Sequence, residues 1–138
     1  MANITCFEDL KIWQEARNLT ILIYDISTLE KFCNDFRFCG QIRAAAGSIM
    51  DNIAEGYERN GNKEFIHFLF IAKGSCGEVR SQLYRACDLH YIDETKRKEL
   101  HDRCLGLSAA IANLINYLRK SDIAGTKYKN ITPNSPNS

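Results

Sequence analysis

Proline is almost absent from this chain of 138 residues: it has only two, and both lie within the last six residues. Because proline inside a helix removes a backbone hydrogen bond and clashes with the preceding turn, its absence permits long helices over most of the chain. No apolar run approaches the roughly 18 residues that a membrane-spanning helix needs. We therefore expect no membrane partner.

Net charge is also almost absent. The 18 basic residues nearly balance the 17 acidic residues, which leaves a formal net charge of +1. Proteins that bind nucleic acid without sequence specificity usually carry a strong basic field, so this balance argues against such a field over the whole surface. The balance does not exclude a local basic patch, or a basic patch that several subunits build together.

The six cysteines do not form a pattern that predicts disulfides. The first residues lack the basic-then-apolar segment of a secretory signal, so we expect a cytoplasmic protein with reduced thiols. Cys76, Cys87 and Cys104 lie within helical apolar patterns, where a free thiol packs as a small hydrophobic side chain.

Apolar residues recur every three or four positions in four runs, which is typical of helices with one buried face. The runs predict helices over residues 8–32, 36–58, 63–89 and 94–120, with Asn34 or Asp35, and Asp93, as N-caps and Gly61 in a left-handed conformation between the second and third. The first helix has an apolar line that Ile12, Ile21, Leu22 and Leu29 widen; the line consists of Leu10, Trp13, Ala16, Leu19, Ile23 and Ile26.

The breaks between these runs are only three to five residues long, so successive helices should be antiparallel neighbours. The predicted fold class is all-α, an antiparallel up-and-down four-helix bundle over residues 1–120. Residues 121–138 are rich in Asn, Ser, Lys and Pro and have little to bury, so we expect a disordered polar tail there.

Two stretches of small residues interrupt the predicted second and third helices, at 44–48 and 72–77. They include Gly47, Gly74 and Gly77. Glycine inside a helix costs about 1 kcal/mol relative to alanine, so its use at three positions requires a reason. One interpretation is the close approach of two helix backbones. The other is room for a ligand or an RNA backbone beside the glycines.

A row of polar residues follows one face of each of these two helices. The candidate packing or oligomer network drawn from the two rows and the adjacent glycines consists of Gln41, Ser48, Asn52, Glu55, Gly56, Gly74, Ser75 and Glu78. Arg59, Gln82 and Arg85 continue the rows. The rows fit two ordinary solvated faces. They equally fit a hydrogen-bonded network, inside a bundle or between subunits, that fixes the register of the helices.

No motif of an enzyme or a nucleotide-binding protein is present: GxGxxG, GxxxxGK[ST] and GxSxG are all missing. Glu55 and Glu78 lack a partner for acid/base chemistry, so we predict no enzymatic activity and no cofactor. Cys87, His90, His101 and Cys104 contain the ligand types of a zinc site. However, Cys104 should lie about 16 Å along its helix from the turn that holds His90, so we predict no metal.

Basic residues on the second and third predicted helices are candidates for a nucleic-acid site: Arg43, Arg59, Lys63, Lys73 and Arg80. Acidic residues interleave with them, which is equally typical of a solvated face of mixed charge.

Several blocks of the sequence are typical of one known family: 7–16 (FEDLKIWQEA), 41–43 (QIR), 48–49 (SI), 52–57 (NIAEGY), 64–65 (EF), 68–69 (FL) and 71–75 (IAKGS), with Glu78, Gln82 and Leu83. On these blocks, over roughly residues 7–120, the chain resembles the bacterial four-helix-bundle proteins first noticed as products of intervening sequences in 23S ribosomal RNA genes. The NIAEG and AKGS blocks together are fairly specific for that family.

The resemblance implies an antiparallel four-helix bundle that assembles into a homo-oligomeric ring, typically a pentamer, with an undefined biological role. A similar protein, the accessory protein of diversity-generating retroelements, binds nucleic acid and a reverse transcriptase through a basic ring. The resemblance therefore also implies nucleic acid, or a protein associated with nucleic acid, as a partner.

The chain departs from the family pattern at three places. Arg43 is followed by Ala44 where the family often has two basic residues, Met50 stands where a proline is common, and a Phe-Pro after the first helix is missing. The missing basic residue weakens the implied nucleic-acid site and leaves the fold unaffected. We predict a non-enzymatic scaffold or interaction protein, with an RNA- or DNA-binding accessory protein as the alternative.

Overall fold

The structure, a computed structural model, describes residues 3–123. After a single 3-10 turn at Phe7–Asp9 come five helices: α1 (Lys11–Ser27), α2 (Glu30–Cys33), α3 (Phe36–Glu58), α4 (Asn62–Asp88) and α5 (Glu94–Ile123). No strand occurs within this range. The four long helices form the predicted antiparallel bundle, in which α3 packs against α1 and α4, and α4 packs against α5. α1 also packs against α5, and this is the least extensive of the four contacts between long helices.

The core consists mainly of the predicted apolar lines. Along α5 every member of the line is buried: Leu100, Cys104, Leu107, Ile111, Leu114 and Leu118. Of the four residues predicted to widen the line of the first helix, Ile12 is buried and Leu22 packs against the core. The prediction was wrong for Ile21 and Leu29, which are 52% and 49% exposed. Ile21 lies about 140° around the helix from buried Ala16, because each residue adds about 100°. The buried stripe of α1 is therefore narrower than the sequence suggested.

The first helix does not run continuously over residues 8–32 as predicted. Glu8 and Asp9 lie in the 3-10 turn, and α1 ends at Ser27. There the hydroxyl of Ser27 donates to the Tyr24 carbonyl at 2.9 Å, and that of Thr28 donates to the Asp25 carbonyl at 2.7 Å. Such bonds satisfy the last carbonyls of a helix and compete with its continuation.

The turn after α1 brings the short helix α2 against the bundle. Its Phe32 is fully buried and stacks on Phe38 of α3 at 5.3 Å and on Tyr91 at 5.1 Å between ring centroids. A straight continuation of α1 would have carried Phe32 away from these rings. Burial of this aromatic side chain therefore explains why the helix is broken.

The predicted caps are confirmed. The Asp35 carboxylate accepts from the backbone N–H of Phe38 at 3.2 Å, and that of Asp93 accepts from the N–H of Lys96 at 2.8 Å. Gly61 has a φ of +91° directly before α4, which a residue with a side chain rarely adopts.

The last helix extends three residues beyond its predicted end, to Ile123. From residue 124 onward, the tail that we predicted to be disordered lies outside the described residues. None of the helices in residues 3–123 combines the length and the apolarity needed to cross a bilayer.

Candidate functional site

Three residues of the predicted polar network are joined by hydrogen bonds, one of which bridges α3 and α4. Ser48 Oγ lies 3.1 Å from Ser75 Oγ, so the two hydroxyls bridge the helices. The Nδ2 of Asn52 donates to Ser48 Oγ at 2.9 Å and to the Ser48 carbonyl at 2.8 Å. Ser75 is buried, so this network lies within one chain and fixes the register of α3 against α4.

An open groove of about 470 Å³ lies beside this network. Its walls are Gln41, Ala44, Ala45 and Ser48 of α3 and Glu78, Ser81, Gln82 and Arg85 of α4. The alanines make its α3 side shallow, while Glu78 and Arg85 place one negative and one positive group on its α4 edge. The guanidinium of Arg85 also lies over the Phe38 ring, 4.3 Å from its centroid.

Gln82 is the unusual residue of this groove. It is only 4% exposed, and its Oε1 is buried without a hydrogen-bond partner among the described residues. A buried polar atom that lacks a partner costs about 1–3 kcal/mol. The polar spacing of α4 placed Gln82 and Arg85 in a row, but nothing in the sequence distinguished Gln82 as a site residue.

Among the helical glycines, only Gly56 is closely packed. A Cβ at Gly56 would lie 2.6 Å from Phe68 Cβ and 3.1 Å from Phe65 Cδ1, so α3 and α4 approach each other closely there. Gly77 has room for a side chain, with its nearest neighbour, Arg80 Nη2, at 3.8 Å. Four other helical glycines have no described atom within 4 Å of a Cβ: Gly40, Gly47, Gly74 and Gly106. The close approach expected at positions 47, 74 and 77 is therefore not found within the chain.

The remaining members of the network lie at the surface. Glu55 is exposed and forms a 2.7 Å ion pair with Arg59 four residues later. The Arg59 guanidinium lies over the ring of Phe68, 5.0 Å from its centroid, and the hydrogen bond to Glu55 raises the pKa of Arg59. These contacts are typical of a solvated helix surface.

The structure does not bring the five predicted nucleic-acid residues onto one face. Arg43 faces α1, where its Nε donates to Ser27 Oγ at 2.7 Å and its guanidinium lies 4.8 Å from the ring centroid of Tyr24. Arg59 lies directly after the end of α3, and its guanidinium lies over the ring of Phe68 on α4 instead.

The other three are on α4. Lys63 and Lys73 are exposed. Arg80 is half-buried, and its Nε has no partner among the described residues. Binding of nucleic acid by these residues stays a prediction.

The four residues considered for zinc occupy different environments. Cys104 is fully buried, whereas His90 is exposed in the turn before α5, at a φ of +63°. His101 packs edge-on against Tyr84, and Cys87 donates to the Glu94 carboxylate at 3.3 Å. Across the part of the chain that the structure describes, no three His, Cys, Asp or Glu side chains are arranged to hold a metal.

Burial determines the direction of the pKa shift of two thiols in the core, Cys76 and Cys104. It raises the pKa of Cys76 from 9.0 to about 11 and that of Cys104 from 9.0 to about 12, because a thiolate would be poorly solvated there. All six cysteines are free thiols in the structure. A raised pKa disfavours the thiolate, which is the nucleophilic form, so the two buried groups are suited to packing.

The fold and this surface define a class of protein: an all-helical bundle whose small and polar residues gather on α3 and α4. The family model described as 23S rRNA-intervening sequence protein matches residues 8–113, and the chain belongs to this family. The resemblance stated from the sequence blocks is thereby confirmed.

A solved structure from Bacteroides thetaiotaomicron, described as a protein with unknown function from the S23 ribosomal protein family, has a similar fold. The TM-score is 0.69 at 20% identity, and the match covers 75% of this chain and 97% of that chain. At this identity the likeness concerns the fold alone. No curated protein matches the chain.

Proposed function

We propose that this protein is a non-enzymatic scaffold that works as a homo-oligomer in the cytoplasm. The observation that carries the proposal is the set of open glycines inside long helices: Gly40, Gly47, Gly74 and Gly106. Each costs about 1 kcal/mol of helix stability relative to alanine. Since no neighbour within the described chain requires them, a contact with another molecule supplies the reason.

The positions of these glycines favour a ring. Gly40 and Gly47 lie on α3 with exposed Ala44 between them, whereas Gly106 lies on α5 beside Leu105, which is 41% exposed. A ring needs two different surfaces on each copy, because the contacts run head to tail. The glycines of α3 and the Leu105–Gly106 segment of α5 supply such a pair. A ring of five is the form that the family resemblance implies.

The chemistry of the side chains supports a role without catalysis. A catalytic cysteine needs a lowered pKa, whereas burial raises the pKa of both Cys76 and Cys104. The free state of all six thiols is in keeping with the reducing cytoplasm. The formal net charge of +1 means that copies repel each other little.

Light scattering on the purified chain tests this proposal. The wild type should have the mass of several chains, and Gly47→Leu should lower that mass because the new side chain separates the copies. A matched variant, Asn18→Leu, adds the same side chain to an exposed position of α1 and should leave the mass unchanged. A wild type with the mass of one chain, or an equal mass for Gly47→Leu, would contradict the proposal.

A second candidate function, the binding of RNA or DNA by the oligomer, is favoured by one observation. Arg80 is half-buried with an unpartnered Nε, and exposed Lys73 lies seven residues earlier on a similar face of α4. Phosphate is the ligand type that such a pair accepts. Arg43 and Arg59 are already engaged within the chain, so Lys63, Lys73 and Arg80 would contribute most.

A gel shift at low salt tests this second function. Binding should weaken as salt rises and when Lys73 is replaced by glutamine, because counterion release drives phosphate contacts. If no shift occurs even at low salt, nucleic-acid binding is discarded while the scaffold function stands.

A further inference from the structure

We infer that, in the assembled protein, α3 of each copy packs parallel to α5 of the next copy, with both helices at the same height. The inference rests on the self-association proposed above and adds to it an orientation, a register and a charge pair. Because α3 and α5 are different surfaces of each copy, the contact is head to tail, and it closes rings with an odd as well as an even number of copies.

Each of these two helices has an outward face of mostly small side chains. The α3 face consists of Gly40, Ala44, Gly47, Asp51 and Glu58. The α5 face consists of Asp102, Gly106, Ala109, Asn113 and Lys120. At about 100° per residue, each set falls within an arc of about 60°. Their members are exposed, except for the half-buried Gly47, so neither face is used by the core of the bundle.

Contacts within the chain fix the heights of the helices relative to one another. Ser48 of α3 meets Ser75 of α4 at 3.1 Å between the hydroxyl oxygens, and Tyr84 of α4 meets His101 of α5 at 5.5 Å between ring centroids. On α4, Ser75 lies nine residues before Tyr84. Because α4 and α5 are antiparallel, Ser75 is level with the position about nine residues after His101, which is Ala110. Ser48 and Ala110 are therefore at about the same height, and α3 and α5 run in the same direction.

The same offset aligns the two faces position by position, because their residues have the same spacing along the helix. A rotation about a ring axis parallel to the bundle leaves each residue at its height. Ala44 of one copy therefore lies beside Gly106 of the next, and Gly47 lies beside Ala109. Both glycines have no described atom within 4 Å of a Cβ. The two helix backbones can approach closely at these points, which supplies a reason for glycines that cost about 1 kcal/mol each.

The polar residues of the two faces also match in this register. Glu58 lies beside Lys120, and neither forms a salt bridge with a described residue of its own chain. Asp51 lies beside Asn113, whose side-chain amide can donate a hydrogen bond to the carboxylate. Every contact around the ring repeats both pairs, so they stabilise the assembly once per copy.

The distribution of charge along the two helices identifies the occupant of the α3 face as a second copy of this chain. Residues 51–58 contain three acidic residues and no basic one, whereas residues 103–120 contain three basic residues and no acidic one. Parallel packing brings these two segments together. Asp102, at the other end of the α5 face, is already paired with Lys98 at 2.8 Å. A nucleic acid would instead be repelled by Asp51 and Glu58.

A charge exchange tests the register by sedimentation equilibrium, just above the concentration at which the wild type dissociates. Glu58→Lys should lower the mass by at least about two-fold, because two ammonium groups then meet in every contact. Lys120→Glu should do the same with two carboxylates. The double variant E58K/K120E restores opposite charges and should recover the wild-type mass. Lys31→Glu, a matched charge reversal at an exposed position of α2, should leave the mass unchanged.

Two outcomes of the charge exchange would overturn the inference: a single variant with undiminished mass, and a double variant whose mass stays as low as that of the single variants. If Lys120→Glu keeps its mass but abolishes a gel shift with RNA, the α5 face binds phosphate instead of a second copy. In each of these cases the proposed scaffold function survives, since the wild type still has the mass of several chains. A wild type with the mass of one chain would remove both proposals.

A further variant separates loss of contact from loss of folding. Ala109 is exposed on α5, so Ala109→Leu should leave the helical circular dichroism of the protein unchanged. Its mass should nevertheless fall by at least about two-fold, because the larger side chain pushes α5 away from Gly47 of the next copy. Asn18→Leu, which adds the same side chain to α1, is again the matched control. If Ala109→Leu keeps the wild-type mass, the α5 face does not lie at the contact and the inference is wrong.

Discussion

Glycine serves two different purposes at Gly56 and Gly74. Gly56 is buried between α3 and α4, and its missing side chain is what allows the Phe68 Cβ to lie so close. Gly74 is exposed and has space around it. Both appear in the sequence as helical glycines between polar residues. The sequence could therefore predict that each glycine has a structural or functional role. Only the packing shows that Gly56 permits a close contact between two helices, whereas Gly74 is not crowded within the described chain.

Replacing Gly56 by alanine should destabilise the protein by about 1–3 kcal/mol, the usual cost of overpacking. The clash is with the first side-chain atom of Phe68, which cannot move unless α4 moves. Urea denaturation measures the effect. Gly77→Ala is the control: the nearest neighbour of its Cβ would be Arg80 Nη2 at 3.8 Å, so it should raise the free energy of unfolding by up to about 1 kcal/mol. A Gly56→Ala protein as stable as the wild type would contradict the packing.

The two buried thiols make stability depend on alkaline pH. Their raised pKa values mean that the folded chain holds these protons more tightly than the unfolded chain does. The stabilisation is complete below pH 9.0, the ordinary pKa of the thiol, and is lost as pH rises towards about 11 for Cys76 and about 12 for Cys104.

The free energy of unfolding should accordingly fall from pH 9 upward, with a smaller slope in Cys104→Ala than in the wild type. The comparison of slopes removes the contributions of all other groups, and it also removes the pH-independent cost of the smaller side chain. Equal slopes for the two proteins would show that Cys104 is not held protonated by burial.

At the scale of the helices, one cluster of contacts around Asp35, Tyr91 and Phe32 joins elements that are distant in sequence. Asp35 caps α3 and also accepts a hydrogen bond from the Tyr91 hydroxyl at 2.8 Å, so the start of α3 is joined to the turn between α4 and α5. Tyr91 in turn stacks on Phe32 of α2. The hydrogen bond to Asp35 raises the pKa of Tyr91, because a tyrosinate could not donate it.

Asp35→Ala should cost about 2 kcal/mol, since it removes a helix cap worth about 1 kcal/mol and a side-chain hydrogen bond worth about 1 kcal/mol. Tyr91→Phe should cost about half as much, because it removes only the second interaction. Thermal or urea unfolding measures both. The double variant should cost less than the sum of the single variants, since they share one bond. A strictly additive result would rule out the link between the two elements.

The ends of the helices differ in how far the sequence could predict them. The starts of α3 and α5 follow from Asp35 and Asp93, because a cap is a local interaction between a side chain and the next turn. The end of α1 does not, because the apolar spacing continues past Ser27 to Phe32. Only the aromatic partners of Phe32, which are distant in the chain, explain the break.

At the scale of the whole molecule, the four-helix bundle follows from the apolar spacing and the short breaks, whereas the interaction surface follows only in part. The spacing of Ser48, Asn52 and Ser75 predicted a network; in the structure Ser48 bonds to Ser75 across α3 and α4, and Asn52 bonds to Ser48 within α3. The unpartnered Oε1 of Gln82 depends on how α3 covers α4, which no local pattern encodes.

The central claim is that the open glycines belong to contacts between copies of this chain. The most direct test is the mass of the wild-type protein, measured by sedimentation equilibrium over a broad dilution series at physiological salt. We expect a mass of several chains that decreases only on strong dilution. A mass of one chain at every concentration would contradict it.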